Sequence, residues 1–156
     1  MFSALDRSDL DENSQRRVMG LVRDYILQIP REAGYAAWKA GDLLGDEWLD
    51  IETRKILMEL AFAAKYRAGR KAALHGIEEA LERDAETYRD ELMRVLREVA
   101  KNDRSNMVRG YAQYALRRAS RQVGLPADPD SKTNRVPSTS WAPTSNQQGR
   151  ALPPDS

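Results

Sequence analysis

Apolar side chains recur every three to four residues in six successive stretches of this chain, and nowhere do they alternate with a period of two over a useful length. That pattern predicts six helices and no strands. The first, from about Asp11 to Gln28, sets Val18, Leu21, Val22, Tyr25, Ile26 and Ile29 on one face; Pro30 ends it, because proline disfavours the α conformation in the residue before it. The second, about Arg31 to Leu44, packs through Ala33, Ala36, Ala37, Ala40 and Leu44, with Gly45 placed to cap it. The third, about Asp50 to Lys65, presents Ile56, Leu57, Leu60, Ala61 and Ala64. After a break at Tyr66 to Gly69 the fourth reaches about Arg83, with Ala73, Gly76, Ile77, Ala80 and Leu81 inward. The fifth, about Ala85 to Lys101, carries a stripe of Tyr88, Leu92, Val95, Leu96 and Val99. Asn102 to Ser105 is a turn with Ser105 as N-cap. The sixth holds Val108, Tyr111, Ala112, Ala115, Ala119 and Val123 and stops at Gly124, with Pro126 beyond.

The even-numbered helices share a small-residue character. Tyr35 to Leu44, Arg70 to Ile77 and Arg109 to Leu116 are each rich in Ala and Gly, and each follows a more aliphatic helix. Laid on one another they bring Ala37, Ala73 and Ala112 into register, at spacings of about 36 and 39 residues, the range of stacked helix-pair repeats. The expected fold class is all-α: a short α-solenoid of three antiparallel helix pairs over residues 1–124. A compact six-helix bundle would use the same amphipathic faces. Three repeats is the lower limit for a stable array, and the acidic N-terminal flank and Arg-rich last helix suit polar end caps. Six of the seven prolines fall between Pro126 and Pro154 among Ser, Thr, Asn and Gln. Residues 125–156 therefore read as a disordered or extended tail, too poor in apolar surface to offset its ordering entropy.

Composition and charge remove several function classes. The 41% apolar content suffices for a small core once the tail is set aside, and a formal net charge of +1 gives no global attraction to nucleic acid or anionic lipid. The absence of cysteine excludes disulfides, Cys-based zinc sites and thiol catalysis. Met1 to Glu12 lacks the layout of a signal peptide, and no apolar run approaches the ~20 residues that span a bilayer, so a cytoplasmic location is expected. His75 is the sole histidine, which rules out multi-histidine metal sites and acid–base pairs. No Gly-rich phosphate loop, nucleophile elbow or dinucleotide fingerprint is present. Neither an enzyme, a cofactor nor a bound metal is expected, and Glu78, Glu79 and Glu82 read as a solvated face.

Ala36 to Asp46 resembles the second helix of a short HEAT repeat and the turn after it, of the kind found in bilin-lyase-like proteins; Asn102 to Arg109 resembles the turn between a repeat's two helices. The resemblance covers about Gln15 to Val123. It implies a ladder between adjacent repeats, formed by an Asp in the turn and a basic residue six positions on, which Asp103 and Arg109 match. Repeat one keeps Pro30 but has Gly34 at the basic position; repeat two has Arg70 there, with no acid in Tyr66 to Gly69. The resemblance also implies a concave face lined by the second helices.

Aligning the repeats on that face sets Trp38 beside Leu74 and Gln113, Lys39 beside His75 and Tyr114, and Asp42 beside Glu78 and Arg117. A strip of Trp38, Leu74, His75, Gln113 and Tyr114 suits a protein partner, since Trp, Tyr and Arg dominate interface hot spots. The other reading of Trp38 is that it fills a gap between helices. In the tail, Trp141 stands isolated in a Pro-rich stretch, as the anchor of a short linear motif would. The sixth helix carries Arg109, Arg117, Arg118 and Arg121 with no acid until Asp128, an arrangement that would contact phosphate, or else be solvated, complement the helix C-terminal dipole or pair with the acids of a neighbouring repeat. The leading expectation is a non-catalytic adaptor or scaffold that binds a protein partner or larger complex, without membrane or metal. Nucleic-acid binding through the last helix is the alternative, and a bilin-lyase-like enzyme the third.

Overall fold

The computed structural model describes residues 6–30 and 34–122. It contains six α-helices and, among the described residues, no strand: α1 (Glu12–Gln28), α2 (Gly34–Asp42), α3 (Ile51–Ala63), α4 (Arg67–Arg83), α5 (Arg89–Asn102) and α6 (Asn106–Gln122). A 3-10 turn, Arg7–Asp9, precedes α1, and a π-helical turn, Leu43–Glu47, follows α2. Helices α1, α3 and α5 pack side by side in one layer, and α2, α4 and α6 in the other. The pairs α3–α4 and α5–α6 join the layers as hairpins, whereas α1 touches α2 only lightly and rests on α3 and α4. This is a three-pair stack with α4 at its centre. None of the helices among the described residues is long and apolar enough to cross a membrane.

Local chemistry sets the element boundaries. The Asp11 carboxylate accepts the Ser14 N–H at 2.9 Å to start α1, and Asp50 and Thr53 form a reciprocal capping box on α3, both bonds 2.8 Å. α5 starts at Arg89, four residues later than the apolar stripe suggests, because the Asp84 carboxylate captures the N–H groups of Glu86 and Thr87 in a turn that competes with the helix. Tyr88, at φ 56°, reverses the chain there. The expected starts and ends at Arg31, Ala33 and Val123 to Gly124, and the whole tail with Trp141, lie outside the described residues.

Gly45 does not cap α2. The Trp48 N–H donates to the Leu43 carbonyl at 2.8 Å, closing a wide turn that carries Gly45 into the core and buries the Trp48 ring. A Cβ on Gly45 would overlap the Gly76 carbonyl; one on Gly41 would overlap the Ala72 carbonyl; one on Gly76 would sit 2.5 Å from Leu57 Cδ2 and 2.9 Å from the Gly41 carbonyl. Three glycines, with buried Ala37, Ala40, Ala72 and Ala73 beside them, thus hold α2 and α4 backbone to backbone. Ala37, Ala73 and Ala112, in register by sequence, are all buried. On α1 the inward face is Met19, Val22, Ile26 and Ile29; Leu21, expected on it, is 71% exposed, since α1 is the outermost helix of its layer.

A buried ion pair joins the last two hairpins, and the basic partner of Asp103 in it is not Arg109. The Asp103 carboxylate is paired by Arg70 of the preceding hairpin, Nε to Oδ2 at 2.7 Å and Nη2 to Oδ1 at 3.2 Å, with both side chains at least nine-tenths buried. Arg70 also donates to the carbonyls of Ala64 and Lys65, the open end of α3. Arg109 instead donates to the backbone carbonyl of Asp103 and to Asn106. The turn before α4 has no acid for Arg70, and the turn between α5 and α6 supplies it.

Adding a methyl at the α2–α4 contact must push the helices apart, so Gly45→Ala and Gly76→Ala each lose about 1–3 kcal/mol or more in urea unfolding. Gly20→Ala and Gly110→Ala, where a Cβ meets nothing within 4 Å, gain about 0.5–1 kcal/mol. In the same assay Arg70→Met leaves the Asp103 carboxylate buried without its cation and costs about 3–5 kcal/mol, and adding Asp103→Asn restores part of that loss.

Candidate functional site

The glycine contact fixes what faces what. Asp42 follows Gly41 on α2 and His75 precedes Gly76 on α4, so backbone contact between the glycines presses these two side chains together. His75 Nε2 hydrogen-bonds to Asp42 Oδ1, and Lys39 holds the other oxygen of Asp42 at 3.0 Å. One turn before Asp42, Trp38 lies flat on the imidazole, ring centroids 3.5 Å apart and planes inclined by 17°. His75 is buried and Trp38 half-buried.

On the other side of the ring, His75 Nδ1 lies 3.2 Å from the Tyr111 hydroxyl of α6. That hydroxyl donates its one hydrogen to the Glu78 carboxylate, so its oxygen accepts from Nδ1–H. The second Glu78 oxygen accepts from Arg118 at 2.6 Å, and Arg118 also pairs with Glu82 and reaches the Tyr114 hydroxyl at 3.3 Å. Tyr111 stands edge-on to Trp38 with centroids 5.6 Å apart and meets Tyr114 at 5.7 Å; Lys71 Nζ sits 5.6 Å over the Tyr111 ring. A single polar chain therefore runs across α2, α4 and α6, from Lys39 through Asp42, His75, Tyr111 and Glu78 to Arg118 and Glu82.

The protonation pattern follows from that geometry. With Nδ1 donating to Tyr111, Nε2 needs a proton of its own to face Asp42. Burial alone would lower the His75 pKa, but the carboxylates of Glu78, Asp42 and Glu79 outweigh it and hold the value above that of a free imidazole. For Glu78, burial pulls upward, yet hydrogen bonding with His75 and Tyr111 and the Arg118 charge bring it below the usual carboxylate range. Burial and the hydrogen bond to Glu78 raise Tyr111 so far that it stays a neutral phenol. Glu79 is pushed up by burial, an effect that His75 opposes and the neighbouring carboxylates of Glu82, Asp42 and Glu78 reinforce.

These placements revise the expected strip. Leu74 is fully buried, because α4 has neighbours in both layers and turns this position into the core. Gln113 and Tyr114 are exposed as expected, Tyr114 at 42%. Trp38 meets His75 and Tyr111 rather than Leu74 and Gln113, and Asp42 meets His75 rather than Glu78 and Arg117. Glu78, expected in a solvated face, is 3% exposed. The arginine ridge divides: Arg109 is taken up by the Asp103 turn and Arg118 by Glu78 and Glu82, while Arg117 and Arg121 are exposed and make no ion pair among the described residues. Sequence reasoning missed the pairing of Asp42 with His75 and of His75 with Tyr111. Their separations of 33 and 36 residues, close to the repeat period, are the signal that would have found them.

No family model, curated protein or solved structure matches this chain, so its chemistry is read from the side chains themselves.

Stability carries the signature of the buried polar chain. The raised His75 pKa contributes in full below the pKa of an unfolded imidazole and is lost as pH rises through the folded value; the lowered Glu78 pKa contributes above the unfolded carboxyl range and is lost as pH falls through its folded value. Urea midpoints measured from about pH 3 to 9 should fall at both ends, and His75→Gln should flatten the alkaline limb and shallow the acid limb as well, because His75 is one of the groups that hold Glu78 down.

Proposed function

We propose that this chain is a small, non-catalytic adaptor of the HEAT-like kind that holds a protein partner on the face formed by α2, α4 and α6. The observation that carries this reading is the continuous line of Trp38 on α2 and Tyr111 and Tyr114 on α6, bridged across α4 by the His75 ring stacked on Trp38. Aromatic anchors flanked by arginines are the residues that dominate interface energies. Here they are held by the hydrogen-bonded chain beneath them, so less side-chain freedom is lost when a partner docks. Exposed Gln113, Arg117 and Arg121, with Lys39 and Tyr35, supply a polar rim around the strip. The two-layer stack with a shared even-helix face supports the HEAT-like assignment, as does the Arg70–Asp103 rung between hairpins. With Arg109 and Arg118 already engaged, a phosphate-binding ridge would retain only Arg117 and Arg121.

Tyr114 is the residue of choice for a test, because it is exposed and its removal costs only a long hydrogen bond from Arg118 and ring contacts with Arg118 and Tyr111. Affinity purification of tagged wild type and Tyr114→Ala, quantified by mass spectrometry after nuclease treatment, should show a specific protein reduced at least tenfold, with circular dichroism and thermal midpoint unchanged. Identical recovery from both baits overturns the site, and partners that vanish with nuclease treatment or with Arg117→Glu/Arg121→Glu alone favour nucleic acid.

A further inference from the structure

Beneath the aromatic strip lies a set of donor atoms that the adaptor reading does not use. His75 Nε2 and one carboxylate oxygen each from Asp42 and Glu79 all lie within 4.8 Å of one another. His75 and Glu79 are one helical turn apart and share a face of α4, while Asp42 crosses from α2 through the glycine contact.

Glu79 makes no hydrogen bond among the described residues. Its nearest ionic neighbour is Nε2, 3.9 Å away, and its side chain is only 28% exposed. The protonated His75 ring faces this carboxylate, which stands beside those of Asp42, Glu78 and Glu82, so a divalent ion in place of the Nε2 proton would bring more positive charge to the same group of acids. The far edge of the imidazole is already fixed, with Nδ1–H given to the Tyr111 oxygen and the Tyr111 proton to Glu78. This is the outer arrangement that orients a metal-binding histidine and selects its tautomer, and it turns Nε2, with the proton an ion would displace, toward both carboxylates. The Lys39 ammonium bonds Asp42 Oδ2 and leaves Oδ1 facing the ring.

We propose that Asp42, His75 and Glu79 form a binding site for one divalent transition ion of the zinc type, held by one imidazole nitrogen and two carboxylate oxygens. At metal–ligand distances of about 2.0–2.2 Å, tetrahedral ligand atoms stand roughly 3.3–3.6 Å apart. The Nε2 to Glu79 separation is near that, and Asp42 needs only to swing back from its direct bond with Nε2. The ion replaces the Nε2 proton, which leaves to solvent. One nitrogen with two oxygens suits Zn2+ or Co2+ better than the all-oxygen preference of Ca2+ and Mg2+ or the thiolate preference of Cu(I). Since the ligands come together only in the folded stack, the ion would clip α2 to α4 directly under Trp38.

The test uses the full chain without a histidine tag, stripped with chelator and titrated with Zn2+ alone, and separately with Co2+ alone. Calorimetry should give one Zn2+ per chain with micromolar or tighter affinity, the thermal midpoint should rise with Zn2+ concentration, and Co2+ should develop a visible absorption band. Asp42→Asn, His75→Gln and Glu79→Gln should each weaken binding at least tenfold, whereas Glu52→Gln, at an exposed position on α3, binds like wild type. Glu79→Gln decides the matter if the other variants fail to fold, because it breaks no hydrogen bond. Absence of saturable binding overturns the proposal, as does Zn2+ binding that Glu79→Gln leaves unchanged.

Discussion

The structure depends on one contact, the meeting of α2 and α4 at Gly41, Gly45 and Gly76. Backbones approach this closely only where no Cβ intervenes, and the flanking alanines extend the same tight seam along both helices. Everything distinctive about the even-numbered layer follows. The π-helical turn is the means by which the chain stays against α4 for one more turn before Trp48 dives into the core. Because Asp42 and His75 are the immediate neighbours of two of these glycines, close packing of the main chain becomes close packing of charge. A site built by helix proximity is more rigid than one assembled on loops.

Burial of so many ionisable groups in a small helical stack asks for an explanation, and the chain of hydrogen bonds supplies it. His75 and Glu78 are nearly inaccessible, yet each has a charged or hydrogen-bonding neighbour on both sides, so neither is stranded. The same holds for Arg70, whose guanidinium divides its donors between one carboxylate and two helix-end carbonyls. Satisfied networks of this kind specify one arrangement of helices more sharply than apolar contacts do, because any slip leaves polar atoms unpaired.

The helices themselves were legible in the apolar spacing. Four of the six lie close to where the periodicity puts them; α4 starts at Arg67, inside the break expected at Tyr66 to Gly69, and the late start of α5 comes from the Asp84 side chain, a short-range competitor that periodicity does not register. Leu21 and Leu74 were misplaced for one reason in two directions. A helical stripe says which residues share a face but not how many neighbours that face has, so outermost α1 exposes an expected core residue and central α4 buries an expected surface one. Gly45 was read as a helix terminator when its role is steric, a distinction that depends on what stands opposite. The site was half visible: Trp38, His75 and Tyr114 were singled out, while Asp42, Tyr111 and Glu78 were assigned to rim, core and solvent. Cross-helix partners follow lateral packing rather than repeat alignment, and a single sequence carries that offset only in the separations of its polar residues.

The Arg70–Asp103 pair has a consequence for how the stack comes apart. Arrays of helical hairpins ordinarily fray from either end, since each unit touches only its neighbours. Here peeling the final hairpin away breaks a buried, two-pronged ion pair, so that end is held by a directional contact. Helix α1, loosely joined to α2 and showing an aliphatic side chain to water, has no such fastening. Loosening therefore starts at the amino-terminal edge with α1, and the contacts among α4, α5 and α6 outlast it.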